Sequence, residues 1–239
     1  MKNFIYILMF MATVVWSLES TISAHVKITN LDGDVLYDTV MVVDSTIFNF
    51  KTRDYYMIDE SGESIDFVEY FLRHLEFDNY KDKSFNIEIK EKSDSEFRLS
   101  YVTSYVNGKK HGIEKRYYES GQLEWETPYV NGKRHGIRKE YYYESGQLKW
   151  ETPYVNGKRH GIVKDYYKSG QLYMEKPYVN GEAHGIEKKY SESGQLYIEI
   201  PYVNGKRHGI RKWYYESGQL EWETPYVNGE AHGIEKNYY

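Results

Sequence analysis

The sequence predicts a mainly β fold: an elongated, single-layer antiparallel meander of β-hairpin repeats, preceded by a small N-terminal α+β module. Three observations carry that expectation. Asn-Gly pairs end at Gly108, Gly132, Gly157, Gly181, Gly205 and Gly229, with spacings of 24, 25, 24, 24 and 24 residues. Ser-Gly pairs ending at Gly121, Gly146, Gly170, Gly194 and Gly218 fall between them, each followed by Gln-Leu. The segments between turns alternate, as in "QLEWETPYV", and none shows the apolar spacing of a helix. A fixed period of 20–50 residues marks a repeat array in which each unit is one supersecondary element.

Asn-Gly between extended runs is the strongest short hairpin signal, since both turn residues take positive φ. Each repeat therefore reads as two antiparallel strands. Between turns the chain alternates between 9 residues (Gln122–Val130) and 11 (Lys109–Glu119). The two extra residues are expected at "NGKRHG", where glycine tolerates a distorted backbone. The single 25-residue spacing comes from an added tyrosine in Tyr141–Tyr143, expected as one further bulge. Pro128 and its equivalents lack an amide donor and predict a gap in the ladder.

Comparing the repeats with one another sorts the faces. Leu123 recurs as Leu148, Leu172, Leu196 and Leu220; Trp125 recurs as Trp150, Met174, Ile198 and Trp222. Strict alternation places Leu123, Trp125, Thr127 and Tyr129 on a packed face, and Gln122, Glu124 and Glu126 on a solvated one. Large rings near strand glycines suggest that they cover exposed backbone. The candidate interaction face is accordingly Trp125, Tyr129, Trp150, Tyr154, Tyr178, Tyr202, Trp222 and Tyr226.

The copied phrase also contains His111, His135, His160, His184, His208 and His232. Equivalent residues two strands on lie roughly 10 Å apart, whereas a zinc–nitrogen bond is about 2.0 Å. The histidines read as a repeated turn element rather than as a metal centre, and no cofactor is expected. Glu124 with Glu126, and Glu221 with Glu223, resemble the paired carboxylates of glycoside hydrolysis. Lys149 breaks that pairing in the second repeat, and an open sheet offers no water-excluding cleft. "NLDGDV" lacks the length and closing Glu of a calcium loop and reads as an Asp-Gly turn. Repetition of every candidate residue removes the uniqueness of an active site, so no catalytic residue is assigned and no enzyme is expected.

The stretch "YYESGQLEWETPYVNGKRHGI" resembles the MORN-repeat-variant family, whose bacterial members include proteins labelled YwqK-type antitoxins. The resemblance covers residues 101–239. It implies an elongated, twisted single-layer sheet of hairpins with an interaction or scaffolding role.

Ahead of the array, residues 25–100 carry 9 Lys+Arg against 17 Asp+Glu, whereas residues 101–239 carry 21 against 18. All nine Phe precede residue 100, and 21 of the 27 Tyr follow it. In 25–100, "HVKITNLDGDVLYDT" reads as a hairpin turning at Asp32-Gly33, and "SFNIEIKEK" as a strand. Ser64 is placed to cap a helix carrying Ile65, Val68, Leu72 and Leu75. "YYMIDESGESIDFVEYF" faintly echoes the repeat.

Residues 1–24 read as a signal peptide. Lys2 precedes the uncharged run Phe4–Trp16, and small residues at Ser23 and Ala24 predict cleavage before His25. The expected location is therefore periplasm, cell surface or medium, with an uncleaved membrane anchor as the rival. The chain contains no cysteine and its net charge is −5. Aromatics interleaved with basic residues invite stacking, but the acidic count offsets them, so nucleic acid is not an expected partner. The expected partner is a protein bound by a scaffold. Alternatives are an antitoxin-like inhibition of a partner toxin, or a lipid- or glycan-binding surface. The terminal strand "GIEKNYY" leaves an edge open to self-association.

Overall fold

A computed structural model describes residues 21–44, 56–58, 64–66, 83–93 and 96–239. The N-terminal hairpin forms as expected: β1 (Thr21–Thr29) and β2 (Val35–Asp44) pair across a turn in which Gly33 takes φ 95°. A short hairpin, β3 (Tyr56–Ile58) with β4 (Ser64–Asp66), stands as a separate two-stranded sheet. β5 (Phe85–Ser93) then pairs with β1 on one side and with β6 (Glu96–Val106) on the other. Alternation along these strands buries Val26, Ile28, Phe85, Ile87 and Ile89, and Phe85 stacks on Tyr105 at 4.9 Å.

The described residues of 25–100 give no support to the α part of the expected α+β module. Among the described residues there is no helix, and Ser64 begins a strand instead of capping one. Ile65 lies opposite Met57, so its backbone is engaged by a neighbouring strand rather than by its own turn. Val68, Leu72 and Leu75 lie outside the described residues. The faint echo has a structural counterpart, however. Aligning Glu60-Ser61-Gly62 on Glu119-Ser120-Gly121 equates the pair Ile58↔Ser64 with the pair Tyr117↔Leu123.

β6 passes directly into the array, so the N-terminal strands and the repeats share one open antiparallel sheet of 21 strands. The first repeat contains β7 (Lys109–Lys110), β8 (Gly112–Tyr117) and β9 (Leu123–Val130); the next opens with β10 (Lys133–Arg134) and β11 (Gly136–Tyr141). The pattern then continues to Lys236–Asn237. All six Asn-Gly turns have both residues at positive φ, with Asn at 49–52° and Gly at 64–100°. From the second turn onward the glycine amide donates to a carbonyl of the preceding repeat, beginning with Gly132 to Lys110 at 2.8 Å.

The two extra residues sit where the sequence placed them. Arg134 pairs with Tyr129 and Lys139 with Glu126, leaving His135–Arg138 opposite only Thr127 and Pro128. The histidine's recurring contact is made by its backbone: His135 N–H donates to the Pro128 carbonyl at 2.9 Å. Gly136 follows at φ 109°, with Tyr154 directly opposite it. The same Gly↔Tyr register holds for Gly112, Gly161, Gly185 and Gly209.

The added tyrosine corrects another expectation. Tyr141↔Leu148 matches Tyr117↔Leu123, so the ladder there carries only the register shift found in the first repeat and no further bulge. The turn widens instead: Gly146 N–H reaches the carbonyl of Tyr142, four residues back, where Gly121 reaches only to Tyr118. Tyr143 is exposed in the wider turn.

Candidate functional site

A bulge in every repeat rearranges the two faces that simple alternation predicts. Arg116 pairs with Trp125 while Tyr117 pairs with Leu123, so Glu124 is an extra residue in its strand. Paired residues share a face, which puts Leu123 opposite Trp125 rather than beside it. Glu124 turns to the Trp125 face and meets Arg116 at 3.0 Å. Glu124 and Glu126 therefore lie on opposite faces, and the geometry of paired carboxylates is lost.

The ring face carries Trp125, Thr127 and Tyr129 with their copies, and it is packed by charge as well as by apolar contact. Thr127, Thr152, Thr224 and Ile200 are buried along its centre. So are the carboxyls of Glu114, which Lys110 approaches at 2.7 Å, and Glu187, held by Lys176 at 2.9 Å and Lys189 at 3.6 Å. Six of the eight candidate rings are covered by the protein's own cations. Lys110 lies over Tyr129, Arg134 over Tyr154, Arg159 over Tyr178, Lys176 over Tyr202, Arg207 over Tyr226 and Arg138 over Trp125, at 4.2–5.6 Å. Such contacts favour a fixed ring at a fixed height. Trp150 and Trp222 keep 37% and 39% of their surface exposed.

The opposite face holds three rows that sequence reading missed. The first is apolar: Ile113, Ile137, Ile162, Ile186 and Ile210 are each 47–49% exposed. Each isoleucine pairs with a proline, and Val130, Val155, Val179, Val203 and Val227 flank the row. The second is a ladder of alternating charge. It runs Lys115, Glu126, Lys139, Glu151, Lys164, Glu175, Lys188, Glu199, Lys212, Glu223, Lys236, every neighbour being a register partner. Its sequence trace is the invariant Lys in the six "GI-x-K" phrases, visible only once the partner strand is known.

The third row is Tyr117, Tyr141, Tyr166, Tyr190, Tyr214 and Tyr238. From Tyr141 onward each phenol donates to the ladder glutamate of the preceding repeat, at 2.8–3.3 Å. Burial first, and then the accepting carboxylate, push Tyr141, Tyr166 and Tyr214 up to about 12. The second tyrosine of each pair ties the repeats at the other margin. The hydroxyls of Tyr118, Tyr142, Tyr167 and Tyr215 donate to the carbonyls of Tyr141, Tyr166, Tyr190 and Tyr238 at 2.7–3.1 Å. Ser191 occupies the remaining place and breaks the series.

This architecture defines a class: an open, single-layer β-repeat protein of binding type, with two long faces. The family model described as MORN repeat variant matches residues 110–131, 134–156, 159–180, 183–204 and 207–228. The array of five tandem repeats belongs to that family. A comparison with curated proteins finds no match.

Proposed function

We propose that the protein is an exported, non-enzymatic scaffold that docks a protein partner along the isoleucine–valine stripe. The observation that carries this reading is the in-register row of half-exposed isoleucines, continuous along the array. Contiguous exposed apolar surface with a polar border is characteristic of interaction sites. The neighbouring ladder alternates in charge, six lysines against five glutamates, so it presents no run of basic residues to anionic lipid or nucleic acid. A partner protein with apolar side chains and mixed charge at the same spacing fits it better.

Export is supported by the uncharged run Phe4–Trp16 behind Lys2. Cleavage after Ala24 would leave His25–Thr29, the part of β1 that contains Val26 and Ile28. The test is a photo-reactive residue at Ile162 in the full chain, expressed in native cells that are then fractionated. One discrete cross-linked protein in the envelope or medium is expected, lost when Ile137, Ile162 and Ile186 are replaced by serine. Mature protein starting at Met1 in the cytoplasm would remove export, and no discrete product would remove the docking stripe.

A further inference from the structure

The ring face departs from its own repeat at one place. At the bulge position the copies read Glu124, Lys149, Tyr173, Tyr197 and Glu221, and at the position paired with Trp125 they read Arg116, Glu140, Asp165, Lys189 and Trp213. Only the third repeat brings tyrosine and aspartate together. There an open cleft of about 280 Å³ is lined by Tyr142, Asp165, Tyr167, Lys168, Tyr173 and Glu192, with Tyr166 at its wall. Repetition copies what the sheet needs, so side chains that differ between copies are where a specific ligand would be read.

Two of the rings are fixed before any ligand arrives. Tyr142 and Tyr167 each spend their hydroxyl on a carbonyl of the next repeat, at 2.7 and 2.8 Å. Tyr173 meets Tyr167 edge-on at 5.1 Å. Tyr167 is thereby a rigid platform whose face, not its hydroxyl, is on offer, and such preorganisation lowers the ordering cost of binding. The surrounding charge cancels. Asp165 and Glu192 would repel an anion. Lys149 over Tyr142 at 5.7 Å and Lys189 over Tyr173 at 5.8 Å already occupy the place of a cation. Lys168 is committed to Glu144 at 3.0 Å.

We propose that this cleft binds a neutral saccharide, one pyranose ring laying its C–H face on the tyrosine platform while its hydroxyls donate to Asp165 and Glu192. A sugar ring is the ligand class that joins an apolar face to a rim of neutral donors. The site lies on the face opposite the isoleucine stripe, so either reading can fail without the other.

The test uses the full chain in calorimetric titrations with cellotetraose and chitotetraose, and pelleting with purified peptidoglycan. The variant is Tyr173→Glu, which installs the residue found at Glu124 and Glu221 and therefore suits the local backbone. The second is Asp165→Arg, which follows Arg116 at the equivalent position of the first repeat. Binding to a soluble tetrasaccharide that weakens at least tenfold in both variants is expected. Pelleting alone, abolished by Tyr173→Glu, would keep the site and assign its ligand to the polymer. Absence of binding to all three probes, or equal binding by wild type and both variants, would overturn the proposal. Displacement of bound sugar by tetramethylammonium would overturn the assignment to a neutral ring.

Discussion

At the scale of single residues, the His-Gly phrase is explained by the glycine and the proline it faces. A Cβ built on Gly136 or Gly185 would lie 2.8 Å from Cγ of Pro128 or Pro177, while at Gly112 the nearest atom is Ser104 Cβ at 3.9 Å. All three glycines sit at φ between 90° and 113°. Gly112→Ala should therefore cost only the left-handed backbone penalty, about 1–2 kcal/mol. Gly185→Ala adds an overpacking term of about 1–3 kcal/mol against a ring that cannot swing away. Replacing Pro177 with serine, the residue at position 104, should recover most of that second term. Urea midpoints of the two single variants and the Gly185→Ala/Pro177→Ser double variant would measure it, and an equal loss at Gly112 and Gly185 would refute the ring contact as the cause.

Between elements, the coupling of one repeat to the next depends on small recurring bonds, and Ser191 is the place where one is missing. Ser191→Tyr should restore a hydroxyl bond to the Tyr214 carbonyl and raise stability by about 0.5–1.5 kcal/mol. Tyr142→Phe, removing the 2.7 Å bond to Tyr166, should lower it by a similar amount. Denaturant titration of both variants checks the pair, and a neutral Ser191→Tyr would mean that the clamp adds nothing to its interface. These bonds were not legible in the sequence, although the tyrosine pairs were. The turns were legible, because Asn-Gly has one favoured backbone solution and its period fixes the hairpins. So was the two-residue excess beside His135, which follows from counting. The bulge at Glu124 was hidden, because "QLEWETPYV" alternates without a break and only the partner strand shows that Leu123 and Trp125 part company. The helix start expected at Ser64 failed for a related reason: Ile65 fits either period, and pairing with Tyr56–Ile58 decides it for Ser64–Asp66. On the ring face, the recurrence of the aromatic residues was legible in the sequence but the cations that cover them were not, and the isoleucine row was left unread.

Over the whole molecule, the array is a line of similar interfaces whose contributions sum along its length. Five of them carry a phenol donating to the carboxylate of the preceding repeat. Burial and the accepting glutamate raise the tyrosines concerned, to about 12 at Tyr141, Tyr166 and Tyr214, from an ordinary value of 10.0. Between those values the unfolded chain has released its phenolic protons while the folded array retains them, so folding binds protons and stability must fall as pH rises. The contribution is fully present below pH 10 and is lost on approach to pH 12. Above that range each bond becomes a pair of anions facing one another on adjacent strands. The denaturation midpoint should hold steady up to about pH 10 and then fall steeply, with tyrosinate absorbance rising in the same transition. Replacing Tyr141, Tyr166, Tyr190, Tyr214 and Tyr238 together by phenylalanine should lower stability at neutral pH and flatten the alkaline decline. An unchanged decline in that variant would assign the loss to lysine deprotonation along the charge ladder instead of to the phenols.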